Sequence, residues 1–209
     1  MATQGKGKYF LSVFINCPFD SAYKPIFEAI VFAVYDCGFI PRCALEENDS
    51  DTIRIEKIQK IILECKYGIH DISRSGMDAK TNLARFNMPF ELGLFLGCKK
   101  FGKQEHNGKS CLILDSDRFR YRDFISDISG QDIRGHNDSP EESLKQVRDY
   151  LASKTNRKTI PSSNLTWERY KQFSTELPKY AAVLKWDFQN LSFMEYLYLI
   201  KGWLKINAA

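Results

Sequence analysis

Apolar residues along the first two thirds of the chain switch repeatedly between two spacings. YFLSVFI, Tyr9 to Ile15, is a near-continuous aromatic and β-branched run, the pattern of a strand buried on both faces. SAYKPIFEAIVFAVYDCG follows, with Ile26, Ala29, Ile30, Ala33 and Val34 at helical spacing and Gly38 as a stop. FIPRCAL predicts a shorter strand, and TIRIEKIQKIILECK an amphipathic helix with Ile55, Ile58, Ile61 and Ile62 on one face. YGIHDIS predicts a third strand, NMPFELGLFLG a third helix and SCLILD a fourth strand. Strands separated by helices of this length predict a parallel α/β sheet of the flavodoxin-like (Rossmannoid) class, with helices on both faces.

Beyond about Gly135 the pattern becomes helical. SPEE at Ser139 to Glu142 is a capping box, with Pro140 in the first turn, and starts a helix running to about Leu151. After the polar linker KTNRKTIPSS, Trp167, Tyr170, Phe173 and Leu177 mark another helix, and LSFMEYLYLIKGWLK opens on a second capping box, Ser192 with Glu195. The chain therefore divides into an α/β domain over 1–135 and a helical extension over 136–209. The extension must bury its aromatic faces on that domain or on a second copy.

Composition narrows the partners. A chain of 209 residues, 44% hydrophobic and 27% charged, buries a sizeable core, and a formal charge of only +4 gives nucleic acid little to attract. The start of the chain lacks a signal-peptide pattern and no run is long enough to span a bilayer, so a cytoplasmic protein without membrane contact is expected. Its six cysteines form no C-x-x-C pair and have no histidine at zinc-ligand spacing, so they read as reduced core thiols and no metal is expected.

Ligands of open parallel sheets bind outside the carboxyl ends of the strands. The loop after the first strand carries Asn16, Cys17, Pro18, Phe19 and Asp20, and that after the third carries Asp71 and Ser73. Phosphate-binding glycines are absent from both loops, and GKGK at Gly5 to Lys8 precedes a strand instead of following one. From Met88 to Cys98 every residue except Glu91 is apolar or glycine, which predicts a helix buried all round with one enclosed carboxylate. Two explanations stay open for it. Near a helix start the macrodipole favours a negative charge by roughly 0.3–1 kcal/mol. Desolvating an unpaired carboxylate costs several kcal/mol, and a group held at that cost is a functional-site candidate.

VFINCPFD, GIHDIS, NMPFELGLFLG and SCLILD, over roughly Phe10 to Asp115, together resemble the nucleoside 2-deoxyribosyltransferase and TIR-like nucleotide-binding superfamily. The E-L-G run is the most specific of these pieces. The resemblance implies that Glu91 attacks or stabilises the anomeric carbon of a nucleoside, nucleotide or NAD, that Asp71 contacts the sugar, and that Asn87 precedes the reactive helix as it does in TIR-like members. Asn16, Pro18, Phe19, Asp20 and Ser73 would line the substrate. The activity implied is hydrolysis or transfer at an N-glycosidic bond without a cofactor, a nucleoside, nucleotide or NAD being substrate, in a self-assembling protein of bacterial antiviral defence. In place of the transferases' Asp- and Gly-rich approach to the glutamate stands the basic SRSGMDAKTNLARF. The other expectation is a non-catalytic nucleotide-sensing or adaptor module that signals through its helical tail.

Two further segments read more plainly. DRFRYRDF alternates Arg118, Arg120 and Arg122 with Phe119 and Tyr121, an exposed face over a packed one if the segment is extended. SGQDIRGH has the composition of a turn, and His136 reads as a surface histidine. His70 points to the opposite face of its strand from Asp71.

Overall fold

The computed structural model describes residues 7–46, 53–77 and 82–207. Among these, five strands form one parallel sheet: β1 (Ser12–Asn16), β2 (Ile40–Arg42), β3 (Tyr67–Asp71), β4 (Ser110–Asp115) and β5 (Ile133–Gly135). Their order is β2-β1-β3-β4-β5, the flavodoxin-like arrangement, so the chain reverses its direction of travel across the sheet between β1 and β3. Register pairs Asn16 with His70, Asp71 with Leu114 and Asp115 with Gly135, which brings the carboxyl ends of four strands to one edge.

Alternation along the strands sorts the helices onto two faces. Val13, Ile15, Tyr67, Ile69, Leu112 and Leu114 share a core with α1 (Lys24–Asp36). Phe14 packs with α2 (Arg54–Glu64) and α3 (Asn87–Phe101) on the other face, where Ile113 meets Met88 and Leu92. Gly38 ends α1 as expected: at φ +76° it lets Phe39 N–H donate to the Val34 carbonyl at 3.0 Å.

The first core continues without a break into the segment after residue 135. α4 (Pro140–Ser153) lies along α1, and α5 (Ser163–Val183) and α6 (Phe193–Ile206) close over both. The helical tail thus buries its aromatic faces on its own chain. Phe32 of α1 is the meeting point, fully enclosed, with ring centroids 5.3 Å from Phe173, 5.5 Å from Tyr170 and 6.0 Å from Trp203. Ser192 and Glu195 form the full capping box at the start of α6, whereas Ser139 Oγ accepts from Glu142 N–H at 3.3 Å as a simple N-cap.

Three expectations change. β1 begins at Ser12, because Tyr9 sits in a helical turn from which Leu11 N–H donates to Lys8 O at 3.0 Å. β5 lies inside the segment whose composition reads as a turn; three residues suffice because β4 supplies the pairing. α3 is not buried all round: Met88, Glu91, Leu92 and Phe95 face inward, while Phe90 is 57% exposed.

Phe32→Ala is expected to destabilise the protein by about 3–5 kcal/mol. Urea denaturation followed by tryptophan fluorescence reads both the loss and the loosening around Trp203.

Candidate active site

The crevice at the switch between β1 and β3 is set by side chains at the strand ends. Asn16 leaves β1 on the α2/α3 side. Its amide donates to Met88 O at 2.8 Å and lies 3.1 Å from His70 Nδ1, so the end of the strand is tied to the first turn of α3. His70 is enclosed between Phe14 and Phe95, and burial pushes its pKa down to about 3. It is neutral, and only a glycine at position 68 leaves it room: a Cβ there would stand 2.6 Å from Nε2.

Asp71 points to the other face and is completely enclosed. Tyr23 OH donates to its Oδ2 at 2.5 Å and Ser73 N–H to its Oδ1 at 2.8 Å. His136 Nε2 stands 2.9 Å from Oδ2, out of line for a straight hydrogen bond, while His136 Nδ1 accepts from Asp138 N–H at 3.1 Å. Burial works to raise the Asp71 pKa, but these contacts, His136 foremost, outweigh it and hold the carboxyl below its ordinary value. Asp71 is therefore not placed as a sugar-contacting acid, because its oxygens are engaged below the crevice. His136, far from being a surface residue, is fully buried against it.

A second enclosed carboxylate ends β4. Asp115 Oδ1 accepts from Arg120 Nε at 2.9 Å and Nη2 at 2.7 Å, and the same Nη2 donates to Ile72 O and Ser73 O, both at 2.9 Å. The arginine-rich segment is not extended: Arg120–Asp123 is a 3-10 turn that swings Arg120 inward.

Glu91 differs from both aspartates. It lies in the opening turns of α3 and is only 8% exposed, yet no hydrogen bond or ion pair reaches its carboxylate among the described residues. Burial pushes its pKa up to about 7, relieved only in part by the charge of Arg54. Cys17, just beyond β1, is buried, and its thiol is pushed well above its ordinary value first by burial and then by charges that include those of Asp71, Glu91 and Asp20. α3 has no side-chain cap; its N-cap is Phe86.

The other expected residues are dispersed around this centre. Pro18 is buried, Phe19 is partly exposed with its ring 5.4 Å from Phe27, and Asp20 Oδ2 meets Arg85 Nη1 at 3.2 Å. Ser73 is enclosed, with a hydroxyl that has no partner among the described residues. Asn87 is exposed at the first position of α3. Tyr23, His136 and Arg120 are the supporting residues that sequence reasoning missed. Among the described residues no group of His, Cys, Asp and Glu is arranged to hold a metal, and no helix is long and apolar enough to cross a membrane. Comparison with protein-family models, curated proteins and solved structures gave no match.

Opposite stability effects separate the two acids. The folded chain keeps a proton on Glu91 between its ordinary value of 4.5 and about 7, where the unfolded chain has lost it, so wild-type stability falls as pH rises through that window. Glu91→Gln should remove this loss, gaining up to about 3 kcal/mol at pH 8 and little at pH 4. Asp71→Ala should cost about 3–5 kcal/mol at neutral pH, because it strips the partner from buried His136 and Tyr23. Denaturant titrations across pH measure both.

Proposed function

We propose that the chain is an N-glycosidase-type hydrolase of a nucleoside, nucleotide or NAD, with Glu91 as its nucleophile. The observation that supports this most is the enclosed, unpartnered Glu91 carboxylate at the switch-point crevice. In the first step a carboxylate oxygen bonds to the anomeric carbon while the C–N bond breaks and its electron pair leaves with the base. A cationic nicotinamide leaves neutral, with no proton required. Water then attacks the same carbon, the ester bond breaks, the carboxylate is restored and a proton is released. Desolvation strengthens the attraction between Glu91 and the oxocarbenium-like transition state.

Within this reading Asn16 positions α3, Asp71 and Asp115 hold the two neighbouring loops, and Phe19, Ser73 and Asn87 are the residues nearest the substrate's path. A cytoplasmic, self-assembling role in antiviral defence accompanies the resemblance to TIR-like proteins.

Chromatography of NAD and a panel of nucleosides and nucleotides tests the reading. Wild type should release free base and Glu91→Gln should not. Because the nucleophile must be ionised, the rate should rise through pH 7 and be roughly thirtyfold below its plateau at pH 5.5. Ligand-dependent melting without base release from the wild type would overturn hydrolysis in favour of a nucleotide-sensing module.

A further inference from the structure

A cavity of about 370 Å³ opens beside the crevice, where the β1–α1 loop meets the turn that leads into α6. Its size falls within the roughly 300–1,000 Å³ of small-molecule sites. Glu91 and Asp71 do not line it, so it is a separate space. The cavity nevertheless touches the candidate active site through Phe19 and Asp20. Asp20 is paired with Arg85, two residues before α3 begins.

The chemistry of its wall is specific. Phe19, Phe27 and Phe193 form an aromatic series, with centroids 5.4 Å apart for the first pair and 5.9 Å for the second. Phe19 and Phe27 pack edge to face on each other, so a flat guest lies against the side of Phe19 that stays exposed and not between the rings. Glu28 stands among them with its side chain 26% exposed, and the only partner its carboxylate has among the described residues is Lys24, at 3.8 Å. Burial raises the Glu28 pKa, and the charge of Lys24 offsets part of that rise. Lys24 also donates to Gln189 O at 3.3 Å, so the ammonium group spans the floor from α1 and the roof from the tail. An aromatic wall with an acceptor and a donor side by side matches a planar heterocycle that carries an exocyclic amine next to a ring nitrogen.

We propose that this cavity is a nucleobase pocket for an adenine-like ring, which stacks on the exposed side of Phe19, donates its amine hydrogen to Glu28 and accepts from Lys24. Such a ring has two sources. One is the far base of a dinucleotide substrate, which rests on the hydrolase reading above; the other is a separate nucleoside that occupies the pocket alone.

Calorimetric titration of adenosine into full-length Glu91→Gln tests the pocket without turnover. Saturable binding is expected, weaker for uridine, which lacks the amine. Adding Glu28→Gln should weaken adenosine about tenfold. Adding Ser21→Trp, which fills the cavity from an exposed position, should abolish binding while an unchanged melting temperature verifies folding. No adenosine binding, or binding that neither second substitution alters, overturns the pocket. Base-release kinetics then identify the source. For a dinucleotide, Ser21→Trp raises KM for NAD with kcat kept and leaves mononucleosides unaffected. For a separate ligand, added adenosine changes release from a mononucleoside, and Ser21→Trp removes that change. If the wild type releases no base at all, the hydrolase reading falls while the adenosine titration still decides the pocket.

Discussion

The carboxylate of Asp71, enclosed at the end of the central strand, is the constraint from which the functional edge of this fold follows. A charge without water must be compensated, and here the contacts come from three separate places: the donors Tyr23, at the entry to α1, and the Ser73 amide, in the loop after β3, and the His136 ring beyond β5. Each contact fixes a loop that would otherwise move freely outside the strand ends. Asp115 repeats the device one strand away, and Arg120 joins the two by reaching the Ile72 and Ser73 carbonyls as well. The crevice therefore has a floor in which both aspartates are paired, although Asp115 Oδ2 stays buried without a partner among the described residues and burial holds that carboxyl above its ordinary value.

Against that floor Glu91 is an exception in kind. Asp71 is the more deeply buried of the two, yet its pKa falls while that of Glu91 rises, because one carboxylate has partners around it and the other does not. The helix macrodipole, at roughly 0.3–1 kcal/mol, does not offset such desolvation. Of the two explanations for this residue, capping alone fits less well: it predicts hydrogen bonds from the first-turn amides, and none reaches Glu91 among the described residues. What holds the carboxylate there is the clamp from Asn16 to Met88 O, which fixes the start of the helix from the neighbouring strand.

The regular parts of the fold were legible because each depends on a local pattern. Short runs of β-branched and aromatic residues marked β1 to β4, helical spacing gave α1 and α2, and Ser192 with Glu195 marked the start of α6. The site was legible only where position along a strand decides it: Glu91, Asp71 and the loop after β1 stand at the expected edge. What the residues do there depends on contacts distant in sequence. Asp71 looks like a ligand-facing acid until His136, 65 positions away, is seen to enclose it. A histidine in a polar turn gives no local sign that a buried carboxylate awaits it. Arg120 misled for a related reason, since alternation of basic and aromatic residues fits a short 3-10 turn as readily as a strand when one arginine has a buried partner.

The tail belongs to the same physical argument. Phe32 carries the packing of α5 and α6 back onto α1, the helix whose entry supplies Tyr23 to Asp71. Tyr196 of α6 adds a direct tie, donating from its hydroxyl to Glu28 O at 3.1 Å. One element thus holds the floor of the crevice at its amino end and the tail along its outer face. The tail and the candidate site therefore share α1, and the Phe19–Asp20 loop just before that helix is tied to the segment leading into α3 by the Asp20–Arg85 pair.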